Sequence, residues 1–100
     1  MFIIRRVHGS SMMPGLQPGK IVTAVLRFGS LKKGDVIVVR HAGVEKIKRL
    51  VDLDVDKIYL EGDNKAQSTD SRHFGWLDKA SIRGKVIWPR NIPAKLKYPR

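Results

Sequence analysis

The chain of 100 residues contains no cysteine. Disulfides, thiolate metal ligands and thiol nucleophiles are therefore excluded. Acidic residues are scarce: 9 Asp plus Glu stand against 20 Lys plus Arg, giving a net charge of +11. Long apolar runs are missing too. A spanning helix needs ~18 apolar residues, whereas the opening Phe2-Ile3-Ile4 gives way at once to Arg5-Arg6. That run is also too short for a secretory signal, and its charge lies on the wrong side. The chain reads as soluble or membrane-peripheral, and as cytoplasmic if its N-terminus is the native one. Its basic residues are not interleaved with aromatics, so no specific nucleic-acid groove is signalled. The surplus charge suits an acidic polypeptide, an anionic lipid surface or simply a solvated basic face.

What is present is a globular composition, 42% hydrophobic, sized for one domain over residues 1–100. Short β-branched runs alternate with turn signals, which predicts an all-β fold. Strands are expected at Phe2–His8, Lys20–Leu26, Asp35–His41, Val44–Val51, Lys57–Glu61 and Arg83–Trp88. The continuous run Val36-Ile37-Val38-Val39 predicts a strand buried on both faces. Residues His41 to Val44 suit a hairpin turn. Single helical turns are expected at Ser11–Leu16 and Leu77–Ile82. The basic, proline-containing tail of residues 89–100 is expected to pack, extended, over the domain surface.

Three segments hold the candidate chemistry. In Gly9-Ser10-Ser11-Met12-Met13-Pro14-Gly15-Leu16, a serine beside a glycine turn can project its hydroxyl into a cleft. The same pattern is common in ordinary turns. In Glu45-Lys46-Ile47-Lys48-Arg49-Leu50-Val51, strand alternation puts Lys46, Lys48 and Leu50 on one face. That pattern alone does not distinguish an active site from a solvated edge. The third segment, Glu61 to Trp76, is dense in small hydrogen-bonding side chains and places Asp70 two residues before Arg72. Loops this long in small domains tend to be functional.

Taken in order, these segments resemble the conserved boxes of the type I signal peptidases and their small soluble relatives. The first matches Ser-Met-x-Pro followed by Leu. The second matches a Lys-Arg box preceded by Gly34-Asp35-Val36. The third matches Gly-Asp-Asn, then Ser-x-Asp-Ser-Arg, then Phe-Gly, and the likeness runs on to Gly84-Lys85-Val86. The form of the third box is similar to that of the nickel-type superoxide dismutase maturation proteases. The resemblance implies a partly open β-barrel, or coiled antiparallel sheet, with little helix. It implies a serine endopeptidase that needs no cofactor and no metal, acting on a protein substrate that bears a leader, signal peptide or propeptide.

The resemblance also implies roles. Ser11 is the nucleophile and Lys48 its general base. Ser68 orients the lysine, Asp70 and Arg72 brace that region, and Asp63 and Asn64 form the supporting turn. The backbone N–H of Ser11 serves the oxyanion hole, and Gly9, Ser10, Met12 and Met13 border the hole and substrate pocket. One departure stands out: Gly9 occupies a position where many signal peptidases carry a hydroxyl donor. A lysine base must be neutral, although a free lysine has a pKa of about 10.4. Burial shifts it downward, with Val44, Leu50, Met12 and Val38 as candidate packing partners.

Competing readings remain at this point. A LexA-type self-cleaving domain would share the dyad, but only ten residues precede Ser11. A non-catalytic basic module would leave Ser11, Lys48 and Ser68 without a purpose. A triad through His8 lacks an acidic partner, and His8, His41 and His73 are too scattered in the chain to suggest a metal site.

Overall fold

In a computed structural model, residues 1–90 and residue 92 are described. They form a seven-stranded antiparallel sheet: β1 Phe2–Arg6, β2 Ile21–Val25, β3 Val36–His41, β4 Val44–Leu53, β5 Lys57–Glu61, β6 Leu77–Asp78 and β7 Ile82–Trp88. The spatial order is β1-β2-β7-β3-β4-β5-β6, so the final strand inserts between β2 and β3. The only α-helix among the described residues is α1, Ser71–Phe74.

The six expected strands are present, with ends shifted by at most two residues. Strand β5 matches its expected bounds. Along β3, Val36 to Val39 are all buried, because the strand is central and both of its faces are covered. One face belongs to a core of Val7, Met12, Leu16, Val22, Ala24, Val36, Val38 and Val86. The other belongs to a core of Ile37, Val39, Leu50, Ile58, Leu60 and Leu77. The β3–β4 hairpin closes through Ala42 and Gly43, both at positive φ (52° and 79°). This backbone suits a two-residue turn whose twist matches that of its strands.

Of the two expected helical turns, the one at Ser11–Leu16 is present and the one at 77–82 needs correction. Residues Ser11–Leu16 make a run of turns, with Leu16 N donating to Met12 O at 3.0 Å. In the segment 77–82, Leu77–Asp78 pairs with β5 as a strand, and only Lys79–Ser81 turns, as a 3-10 helix. Here a sheet edge offering free hydrogen-bonding groups outweighs weak local helix propensity. Helix α1 falls inside the segment 61–76 that reads as a loop. It starts at Asp70, which caps it: the carboxylate accepts from Arg72 N, and the Asp70 N–H donates to His73 Nδ1. The tail expectation lies largely outside the described residues. Within them, the Ile92 side chain packs against the first core.

The sheet coils. Arg5 on β1 forms an ion pair with Glu45 on β4, although three strands separate β1 from β4 in the sheet. Arg5 alternates with Ile3, which packs against the first core, so this pair sits at the open end of that core and ties its two walls.

Candidate active site

The site is assembled from three places in the chain. Lys48 sits mid-strand in β4, opposite Ile37 in the buried run of β3. The register therefore carries its side chain onto the face of the second core. Its relative exposure is 6%, a rarity for lysine. Lys48 Nζ donates to Ser68 Oγ at 3.1 Å. The Ser68 hydroxyl in turn donates to Asp70 Oδ2 at 2.6 Å. The serine proton is thus committed to the carboxylate, and its lone pairs face the lysine.

Asp70 is fully buried and fully engaged. Besides Ser68 it accepts from Gly62 N at 2.8 Å, from Arg72 N at 3.1 Å and from Arg72 Nε at 2.9 Å. Burial alone would raise its pKa. The hydrogen bonds from Arg72, Ser68 and the Gly62 amide outweigh it and hold the carboxyl well below the usual range. Lys48 responds in the opposite sense. Burial pushes its ammonium pKa down, the Asp70 charge pulls it partly back up, and the charges of Lys46 and Arg72 add to the lowering. The result is a lysine that gives up its proton more readily than a free one.

Ser11 lies in the loop between β1 and β2, and the third segment fixes that loop. Ser11 O accepts from Asn64 N at 2.7 Å, and Ser10 O accepts from Asn64 Nδ2 at 3.0 Å. Asp63 faces the other way, pairing with Arg49 through two bonds of 2.8 and 2.7 Å. Arg49 reaches on to the carbonyls of Gly34 and Ile92. Gly62 is buried between these groups.

A cavity of about 250 Å³ opens beside Ser11, and Lys48 shares its wall. Residues 5–8 form one side and residues 45–48 the other, with Met12 at the base of the serine turn. Of the residues expected at the substrate pocket, Met12 lines this cavity, whereas Gly9, Ser10 and Met13 do not. Gly9 has φ +75° and open space where a Cβ would stand. Of the packing partners proposed for Lys48, Met12 shares its cavity and Leu50 shares its face of β4. Val38 is on the other face of β3 from Ile37 and does not line the cavity, and Val44 is 54% exposed at the hairpin, so neither fits that role. The histidines lie apart: His8 on the cavity wall, His41 stacked on Phe74, His73 at the α1 cap.

Sequence reading missed the closeness of Gly62 to both serines and the Arg5–Glu45 tie. Neither leaves a local signal. Both depend on how the sheet coils.

A turn serine and a buried lysine whose ammonium is destabilised line one open cavity, an arrangement with which a hydroxyl can be activated without a histidine. Comparison with known proteins shows the family. A family model described as Peptidase S24-like matches residues 2–87. The mitochondrial ATP-independent inner membrane protease subunit 1a of Arabidopsis thaliana is 33% identical, over 83% of this chain and 68% of its own. Mitochondrial inner membrane protease subunit 1 of Mus musculus and its counterpart of Homo sapiens are each 32% identical, over 81% of this chain and 66% of theirs. The chain thus spans about two thirds of the length of these relatives. It belongs to the Peptidase S24-like family and is a serine peptidase of the signal-peptidase type. Among the described residues, no helix is long and apolar enough to cross a membrane.

Proposed function

We propose that this chain removes a leader, signal peptide or propeptide from a protein substrate, with Ser11 as nucleophile and Lys48 as general base. The observation that carries the proposal is the burial of Lys48 on the cavity it shares with Ser11, its Nζ held by Ser68. In the neutral amine, one N–H stays on Ser68 while the lone pair is free to take the Ser11 proton. The Ser11 oxygen then attacks the scissile carbonyl. The oxyanion that forms is met by the Ser11 backbone N–H. Lys48, now an ammonium, protonates the leaving amine. Water hydrolyses the acyl-serine by the same proton relay.

The substrate runs extended between residues 5–8 and 45–48, as a strand added to the sheet. The relatives' names, proteases of an inner membrane, support action on a separate protein over self-cleavage. They also support a peripheral membrane contact here. The row Ile4–Thr23–Trp88 crosses three strands at that end of the sheet. Phe2, Ile4 and Trp88 are 60%, 56% and 54% exposed, an apolar rim on a basic chain. Sedimentation with vesicles containing phosphatidylserine, but not with neutral vesicles, is the expected result.

The decisive experiment incubates the protein with leader-bearing candidate substrates beside Ser11→Ala and Lys48→Ala. Both variants are expected to lose cleavage. Wild-type kcat/KM should rise with pH along one basic ionisation lying below the ordinary lysine value. Undiminished cleavage by either variant rejects the dyad.

A further inference from the structure

The cavity beside Ser11 is lopsided in charge. Its walls carry Arg5, Arg6, Lys46 and Lys48, against Glu45 as the one acid among its lining residues. Glu45 is spent on Arg5, which it holds through Nε and Nη2. The two remaining outer cations meet only neutral groups in their observed contacts. Arg6 donates to the Gly19 carbonyl at 3.0 Å, and Lys46 lies 5.9 Å above the Phe74 ring. Arg6 and Lys46 come from opposite walls, so a strand laid between residues 5–8 and 45–48 passes both. A concave site lined by one sign of charge concentrates its field and selects ligands of the other sign.

We infer that this cleft selects substrates carrying an acidic side chain within a few residues of the scissile bond, with Lys46 and Arg6 as the specificity-determining cations. The inference rests on the proposed peptidase reading of the same site. Glu45 tempers the preference by neutralising Arg5. A basic substrate side chain at the same place meets uncompensated repulsion. Such cross-interface charge pairing chiefly sets partner choice and rate of encounter.

The test uses a set of quenched fluorescent peptides with one small-residue cleavage sequence. Each carries Glu, Gln or Lys at one of the three positions on either side of the bond. At one or more positions, Glu is expected to exceed Gln in kcat/KM by roughly fivefold, the order one partly exposed pair supplies. The advantage should shrink as salt is raised. Lys46→Gln and Arg6→Gln should reduce the Glu-to-Gln ratio, while Glu45→Gln, which releases Arg5, should increase it. The ratio cancels any common change in Lys48 basicity.

Arg83→Gln, an exposed cation outside the cavity, serves as the control for net charge. The same peptides are also ranked by fluorescence anisotropy on the Ser11→Ala protein, which reads selection without chemistry. A flat or Lys-favouring ranking in binding overturns the inference, as does an Arg83 variant that shifts the ratio as far as the Lys46 variant. Acid-selective binding with no cleavage by wild type would reject the peptidase reading and leave the charge selection standing. Cleavage with no charge ranking would do the reverse.

Discussion

Gly62 packs flat against Ser68. A Cβ built on Gly62 would fall 2.6 Å from Ser68 Cβ and 2.7 Å from the Ser11 carbonyl oxygen. Backbone amide and absent side chain act together here, because the Gly62 N–H also holds Asp70. The glycine is the point where the Ser11 turn, the lysine-holding serine and the bracing carboxylate meet.

Gly62→Ala should therefore disturb all three. Overpacking of a filled site costs about 1–3 kcal/mol, and the expected result is a stability loss near the upper end, read by urea denaturation. Activity should fall further than the folded fraction does, since displacing Ser68 also displaces Lys48. Normal turnover with unchanged stability would mean that the backbone relaxes freely.

Lys48 is expected to exchange stability for function. Its pKa is lower in the folded chain than in the unfolded one, so the unfolded state binds more protons across the interval between the two values. Stability then rises with pH through that interval. The penalty is fully present below the folded pKa and is relieved as pH approaches the unfolded value of about 10.4. Lys48→Met should abolish cleavage and add about 1 kcal/mol of stability at pH 7. The gap between variant and wild type should close by pH 10. A gap that widens with pH would reverse the assigned direction of the shift.

Asp70 has the opposite linkage. Its folded pKa is depressed, so its contribution is present above the unfolded carboxylate value of about 3.9 and is lost as pH falls through the folded one. Asp70→Asn should cost about 2 kcal/mol at neutral pH, because Arg72 loses its charge partner and the amide cannot accept every bond the carboxylate does. The variant should also show a flatter acid limb in thermal melts between pH 4 and pH 2. Removing the Asp70 charge lets the Lys48 pKa fall further, so the residual pH–rate profile should move to lower pH. A profile that moves upward would contradict the ordering of charges around Lys48.

Gly9 offers a test of the missing hydroxyl. With φ at +75°, a residue bearing a Cβ is strained there whatever the space. Gly9→Ala should cost about 1 kcal/mol. Gly9→Ser should cost a similar amount, and any gain in kcat over Gly9→Ala would locate an oxyanion contact for that hydroxyl. Equal kcat in the two variants would show that the turn does not aim a side chain from residue 9 at the reaction.

Much of the fold was legible locally. Alternating or continuous β-branched runs set the six main strands, and Ala42-Gly43 set the hairpin. The short pairing of Leu77–Asp78 and the four-residue helix at Ser71 were not, because each depends on a partner already in place: the β5 edge for one, the Asp70 cap for the other. At the site, it was the resemblance of the three segments to signal-peptidase boxes that marked out Ser11, Lys48, Ser68 and Asp70 as residues to bring together; local pattern alone read Ser11 as a turn serine and Lys48 as an edge lysine. No local pattern could announce that Gly62 would be wedged between two serines, or that Arg5 would meet Glu45 across the coil of the sheet.

The two lysines of β4 show where sequence ends and structure begins. Lys46 and Lys48 have the same chemistry and, by strand alternation, the same face. Sequence alone determined that both would stand there, two residues apart. Tertiary structure decided that they would differ. Lys46 pairs with Val39 near the hairpin end of β3 and keeps company with an aromatic ring, whereas Lys48 pairs with Ile37 and is capped by Ser68 and Asp70. The ease with which an ammonium loses its proton depends on how much water surrounds it and which charges lie near. That environment is set by neighbours far away in the chain, which is why strand alternation alone left the two lysines equivalent and the folded sheet gives one of them its buried surroundings.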